Sequence, residues 1–251
     1  MGINTFERYE QKYLLSEDQR KNIMLRLGEH MRPDEYGSYP ISNLYYDTDS
    51  FEIIRSSIEK PAYKEKLRMR CYGQATETST VFLELKKKYD GVVYKRRTSL
   101  PYNQAIAFAQ SGICPDEDDQ IQREIARTLA QNSLSPRVYI YYEREAYAGK
   151  EDPGLRITFD SNIKFRQHNL TLAAPPDGTE ILSDGQALME VKAPSAFPLW
   201  LCQILSESRV YPTSFSKYGT CYKNFILPQQ YRIGEVISCQ ISLARVSSAI
   251  R

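Results

Sequence analysis

The sequence of 251 residues holds few of the residues that usually carry metal and nucleophile chemistry. Only two histidines occur, His30 and His168, so a histidine-rich metal centre is excluded. The five cysteines are Cys71, Cys114, Cys202, Cys221 and Cys239, an odd number, widely spaced and with no CxxC pair. That pattern indicates neither a disulfide framework nor a zinc site. Free thiols in a reducing compartment are expected, with the cytoplasm as the default location. No GxGxxG, Walker A or GxSxG sequence is present, so any phosphate binding falls to side chains rather than to a glycine-rich loop. The N-terminus has no apolar core of a signal peptide, and Phe6 stands where a myristoylation motif needs Ser or Thr. No uncharged run approaches the roughly 18 residues of a membrane span.

A charge excess is also missing. Lys and Arg number 33 against 31 Asp and Glu, a net charge of +2, which argues against coating nucleic acid or a membrane by bulk charge. What is present is an ordinary globular composition, 41% hydrophobic and 25% charged. Nineteen tyrosines against one tryptophan suit a chain rich in strands, where rings pack on a pleated surface.

Strands are expected at 5–14, 42–48, 63–72, 80–88, 92–100, 136–147, 155–160 and 186–193. The Asp90-Gly91 pair is a strong hairpin signal. Ser16 with Gln19 forms a capping-box pattern that opens a helix of about 15 residues, with Ile23, Leu27 and Met31 on one face. Further helices are expected at 102–110, at about 117–132, from a cap at Ser195 through about 208, and as a short helix within 214–226. The acidic run Asp116 to Asp119 complements a helix dipole. No repeat or clear linker appears, so one domain over 1–228 is expected, with a tail over 229–251. The fold class is α+β, mostly antiparallel.

Strand parity gives the functional signal, because alternate side chains share a face. Lys64, Lys66, Arg68 and Arg70 fall together on one strand, Glu84, Lys86 and Lys88 on the next, and Lys95 and Arg97 on the third. Arg8, Glu10 and Lys12 share a face in the first strand; Arg144, Arg156 and the pair Glu190 and Lys192 follow later. Residues 60–97 hold eleven basic and four acidic side chains. A solvated sheet face is the ordinary explanation for one such strand. It weakens for neighbouring strands of the same sign, since like charges opposite one another destabilise a sheet. A polyphosphate would offset that repulsion. The sparse acids Glu10, Glu84 and Glu190 suit a divalent cation between carboxylate and phosphate; each reads equally well as an internal salt-bridge partner.

The segments FERYEQKYLL, SNLYYDT, KLRMRCYG, FLELKKK, VYKRR, YYEREAY, LRITFDSNI, LMEVK and SFSKYG occur in that order. Together they resemble the catalytic domain of the vacuolar transporter chaperone (VTC) type, within the CYTH/triphosphate tunnel metalloenzyme superfamily, over about residues 5–225. The resemblance implies an antiparallel β-barrel of about eight strands around a basic tunnel, with helices packed outside. It implies polyphosphate synthesis from ATP with Mn²⁺ or Mg²⁺. By the same resemblance Lys12, Arg68, Arg70, Lys86, Lys95, Arg144 and Arg156 line the tunnel as catalytic groups. Arg8, Lys66, Lys88, Arg97, Lys192, Ser216 and Lys217 are the accompanying substrate-binding set, and Glu190, with Glu10 and Glu84, is the metal-holding set. Ser214 departs from the lysine common in the eukaryotic pattern. The expected partners are ATP and inorganic polyphosphate, not nucleic acid, and a membrane partner protein is compatible with the absence of a spanning segment. A tripolyphosphate or nucleoside triphosphate hydrolase and a non-catalytic polyphosphate sensor are the alternatives.

Overall fold

A computed structural model describes residues 9–90 and 92–230. Arg8, Gly91, Cys239 and most of the expected tail lie outside the described residues. Among those described, the chain forms strands β1 (Tyr9–Leu15), β2 (Met31–Asp47), β3 (Tyr63–Tyr72), β4 (Thr80–Tyr89), β5 (Val92–Pro101), β6 (Ser135–Gly149), β7 (Arg156–Arg166), β8 (Thr179–Glu180) and β9 (Ala187–Ala193). The helices are α1 (Glu17–His30), α2 (Glu52–Glu59), α3 (Tyr102–Ser111), α4 (Gln120–Asn132), α5 (Leu199–Glu207) and α6 (Lys217–Cys221), the last continuing into a π-helical turn, Tyr222–Ile226.

One antiparallel sheet carries the fold in the order β1-β9-β7-β6-β2-β3-β4-β5, with β8 beside β7. It curls far enough that Lys86 on β4 feels the charges of Glu10 and Lys12 on β1 and of Glu190 on β9. Hydrogen bonds among the described residues do not close it into the full barrel expected. The outer edge of β1 is taken instead by the chain at Pro212 and Thr213, whose Thr213 N–H donates to the Lys12 carbonyl at 2.7 Å.

Three apolar clusters follow from strand parity. Leu67, Met69, Leu83 and Leu85 on β3 and β4 pack beneath α3 and α4, through Ala105, Phe108, Ile125 and Leu129. Tyr13, Ile157, Met189 and Val191 pack beneath α1 and α5, through Ile23, Leu27, Leu201 and Ile204. Both lie on the face opposite the basic side chains. The third joins Ile41, Tyr45, Ile140, Tyr142 and Leu188 to Ile54, Tyr218 and Cys221 of α2 and α6. By parity it lies on the same face as the charges, so α2 and α6 pack inside the curl while α1, α3, α4 and α5 pack outside.

Local chemistry explains where the elements begin and end. Ser16 accepts from the Gln19 N–H at 3.2 Å and Gln19 Oε1 accepts from the Ser16 N–H at 3.0 Å, the expected capping box. Met31 is buried but starts β2 rather than ending α1. Helix α5 starts at Leu199, not Ser195. Pro198 forces Phe197 out of the helical region, so no helical turn can form earlier. β2 and β7 outrun their expected lengths because each tolerates an irregularity that reads as a break in sequence. β2 shifts register between Pro33 and Ser38; the β6–β7 pairing shifts between Tyr141 and Glu143, near Asn162 at φ 51°.

Helix α2 had no sequence cap to announce it. Its N-terminus is served from a distance by Asp47, which is 0% exposed. The carboxylate accepts from Ile53 N–H at 2.9 Å, Ile54 N–H at 3.0 Å, Thr48 N–H at 2.8 Å and the Tyr218 hydroxyl at 2.7 Å. One buried acid thus ties β2, α2 and α6 together. Asp47→Ala strands these donors, and we expect a loss of about 3 kcal/mol or more of stability, measured as a fall in the urea midpoint. An unchanged midpoint contradicts this role.

Candidate phosphate-binding site

Charged side chains converge on the concave face in ladder order. Across β3, β4 and β5, Arg68 stands opposite Glu84 and Glu84 opposite Arg97; one step along, Lys66 stands opposite Lys86 and Lys86 opposite Lys95. Across β1, β9 and β7, Lys12 stands opposite Glu190 and Glu190 opposite Thr158, with Glu10, Lys192 and Arg156 in the next row. Arg144 on β6 stands opposite Asp160 on β7 and Tyr39 on β2.

Glu84 is the counter-ion of its group. It is 2% exposed and lies 2.6 Å from Arg68, 2.7 Å from Lys95, 3.6 Å from Arg97 and 3.9 Å from Arg70. Burial raises its carboxyl pKa, but Arg68, Arg70 and Lys95 overcome this and hold it well below the usual range. Glu84 therefore stands apart from Glu190 and Glu10, engaged by cations on every side. Arg68 also donates to the Tyr45 hydroxyl at 3.2 Å, and Arg70 to Asn43 Oδ1 at 2.9 Å and the Tyr142 hydroxyl at 3.2 Å. Asn43 is fixed in turn by donating to the Ile140 carbonyl at 3.1 Å. These guanidinium groups are held in place before any ligand arrives.

A second acid, Asp160, is 0% exposed. It accepts two hydrogen bonds from Arg144, at 2.6 and 2.8 Å, and pairs with Lys217. Burial raises its pKa, and Lys217 and Arg144 more than reverse this. Asp160 shares the parity of Arg156 and Thr158 on β7, but nothing in the sequence marks it as the anchor of Arg144; only the fold brings Lys217 to it. Lys217 also lies over the Tyr142 ring at 4.4 Å.

Glu190 and Glu10 flank one ammonium. Lys12 is 3.4 Å from Glu190 and 3.7 Å from Glu10, and it donates to the Phe215 carbonyl at 3.1 Å. Lys192 is 3.5 Å from Glu190. Burial raises the Glu190 pKa, but Lys217, Lys12, Lys192 and Arg144 hold it well below the usual range. Among the described residues no three acidic, His or Cys side chains gather as a metal cluster. Ser216 uses its hydroxyl to cap α6, accepting from Gly219 N–H at 3.2 Å. Arg156 reaches Asp34 at 3.7 Å at the rim.

Lys66 and Lys86 are the exception to this pairing. They are register partners, and neither has a carboxylate within ion-pair distance among the described residues. Burial, with Lys64, Lys86 and Lys12 nearby, pulls Lys66 down to about 8. Burial also lowers Lys86. Lys88, opposite Lys64, is likewise unpaired. Lys87 and Arg96, by contrast, point to the outer face and reach Glu124 of α4.

The fold matches that of known proteins. A putative adenylate cyclase from Bacillus halodurans shares 15% identity and superposes with a TM-score of 0.52, covering 82% of this chain and 92% of its own. A putative adenylyl cyclase from Hippeastrum, described as having a dominant triphosphatase activity, shares 17% identity at a TM-score of 0.51, covering 84% and 93%. These two likenesses show a shared fold. The VTC domain family model matches residues 7–226, and the chain belongs to that family. Vacuolar transporter chaperone complex subunit 4 of Schizosaccharomyces pombe is 22% identical over 71% of this chain, and subunit 2 of Saccharomyces cerevisiae 25% identical over 50%. The chain covers 30% and 18% of those two proteins, less than a third of either. No described helix is long and apolar enough to cross a membrane.

Two outcomes follow from the charge balance. Glu84→Gln removes the shared counter-ion, so the fold loses about 3 kcal/mol, and polyphosphate then raises the melting temperature of the variant more than that of the parent. Equal shifts in both contradict the role. Polyphosphate affinity falls as pH rises from 7 to 9, because Lys66 loses its proton near 8 and only the charged form attracts phosphate. Lys66→Arg flattens this profile, followed by calorimetric titration at fixed salt.

Proposed function

We propose that this domain is a metal-dependent polyphosphate polymerase. The bond between the β–γ bridging oxygen and the γ-phosphorus of ATP breaks, a terminal oxygen of the polyphosphate chain bonds to that phosphorus, and ADP leaves. The observation that carries this reading is the facing pair Lys66, half-buried, and Lys86, exposed on the concave face, two adjacent cations with no carboxylate in ion-pair reach among the described residues. A folded chain bears such a cost where a ligand supplies the missing negative charge. Membership of the VTC domain family supports the same substrate class.

Lys12, Arg68, Arg70, Lys86, Lys95, Arg144 and Arg156 hold the phosphates on either side of the transferred group, with Lys66, Lys88, Arg97, Lys192 and Lys217 extending the track. Phosphoryl transfer asks a protein mainly for positioning and charge stabilisation. The cross-bonded guanidinium groups of Arg68, Arg70 and Arg144 supply both without a covalent nucleophile. Glu190 and Glu10, beside one another at Lys12, fit a divalent ion that takes its other ligands from phosphate and water. Mn²⁺ or Mg²⁺ bound there supplies charge neutralisation at phosphate oxygens. Glu84 keeps the neighbouring cations together instead. The proposal sets the reaction in the cytoplasm, with a membrane protein as partner; subunit status in a chaperone complex is known of the relatives by name.

The purified protein incubated with ATP and Mn²⁺ yields ADP and long-chain polyphosphate in step. ADP with free phosphate and no polymer makes it a hydrolase; tight polyphosphate binding without turnover makes it a sensor. Either result overturns the polymerase. Glu190→Ala abolishes turnover while polyphosphate still binds. Lys86→Ala weakens that binding roughly 10- to 100-fold. The reverse ordering of the two variants sinks the role assignments.

A further inference from the structure

A row of aromatic rings borders the charged face at one end. Tyr36 meets Tyr39 with ring centroids 6.1 Å apart, Tyr39 meets Tyr72 at 5.7 Å, and Tyr72 meets Phe82 at 5.8 Å. The row ends on Arg97, whose guanidinium lies 3.5 Å from the Phe82 ring centre. Successive rings meet edge to face, at 79°, 66° and 75°. In an edge-to-face contact only one of the two rings has a face covered by the other. Tyr36 is 69% exposed and Tyr72 47% exposed. Cross-strand aromatic pairs stabilise sheets, and these two rings in addition keep surface open to solvent.

Position says what the row could hold. Tyr39 stands opposite Arg144, Phe82 stands opposite Arg70, and Tyr72 follows Arg70 on the same face. Two residues along a strand is about 7 Å, so the rings begin one step beyond the guanidinium groups assigned to phosphate. The turn that carries Tyr36 is fixed as well. Asp34 accepts from the N–H groups of Tyr36 and Gly37, both at 3.1 Å, and reaches Arg156 at 3.7 Å. Gly37 sits at φ 60°, a conformation that suits glycine there. The exposed tyrosine is thus attached to the charged rim.

We infer that Tyr36 and Tyr72 form a stacking platform for the base of a nucleoside triphosphate whose phosphates run onward to Arg70 and Arg144. This rests on the reading of the concave face as a triphosphate site. A planar base joined to an anionic chain matches an aromatic row joined to a cationic track. Stacking favours any base, since every base presents a π-face. It gives this chain a way to favour a nucleotide donor over inorganic polyphosphate at the same cations.

The test compares ATP with inorganic tripolyphosphate, which shares the phosphates and lacks the base, by calorimetry in metal-free buffer. In the Tyr36→Ala/Tyr72→Ala double variant, ATP binds roughly 5- to 100-fold more weakly, while tripolyphosphate binding stays within about twofold of the parent. Tyr72→Phe keeps parental ATP affinity, because the ring remains. Both tyrosines are exposed, so the variants fold, and unchanged tripolyphosphate binding confirms it. If the double variant binds ATP as the parent does, or loses both ligands equally, the platform is wrong and the phosphate site stands. If the parent binds neither ligand, the phosphate reading fails and the platform fails with it.

Discussion

Glu84 is one carboxylate among four cations, and the sheet around it depends on that imbalance being tolerable. Arg68, Arg70, Lys95 and Arg97 come from two strands that flank β4, and like charges on adjacent strands repel. A buried acid draws them inward and orients them. Asp160 does the same for Arg144 and Lys217 from the other side of the concavity. The acids do not match the bases in number, and the surplus appears at Lys66 and Lys86. The protein is a partly neutralised structure whose remaining charge lies on the concave face.

That arrangement requires the apolar cores to lie elsewhere. Two clusters sit behind the sheet under helix pairs, leaving the concave face for polar work. The third, under α2 and α6, floors the charged region and fixes its limit. Asp47 secures that floor through Tyr218, so a residue outside the charged cluster sets where the neighbouring Lys217 stands. Rigidity here has a chemical use. Guanidinium groups already bonded to Asn43, Tyr45, Tyr142 and Asp160 would need little reorganisation in the phosphate-binding role proposed for them.

Much of this was readable from residues alone. β3 spans the expected 63–72 because KEKLRMRC alternates without interruption. The Asp119 side chain caps α4 at the end of the acidic run, accepting from the N–H groups of Ile121 and Gln122. The basic faces of β3, β4 and β5 follow from a period of two. What escaped came from a cap outside the usual position, a proline at the helix start and strand pairing distant in sequence. α2 is capped by a residue five positions before its start, α5 is delayed by a proline, and β2 runs through a charged turn because β6 offers it a partner. The aromatic row was invisible for the same reason, since Tyr36, Tyr39, Tyr72 and Phe82 come from three strands.

The sequence by itself determined which side chains share a strand face, and hence that basic residues would line one side of an antiparallel sheet. Alternation is a local property of extended backbone and needs no partner. Only the tertiary structure decided which charges are neutralised and which are not. Glu84 and Glu190 carry the same chemistry and the same parity, yet Glu84 is the one acid in ion-pair reach of Arg68, Arg70, Lys95 and Arg97, while Glu190 pairs with Lys12 and Lys192 and shares Lys12 with Glu10. That difference arises from strand register and curl, which set distances between residues far apart in the chain.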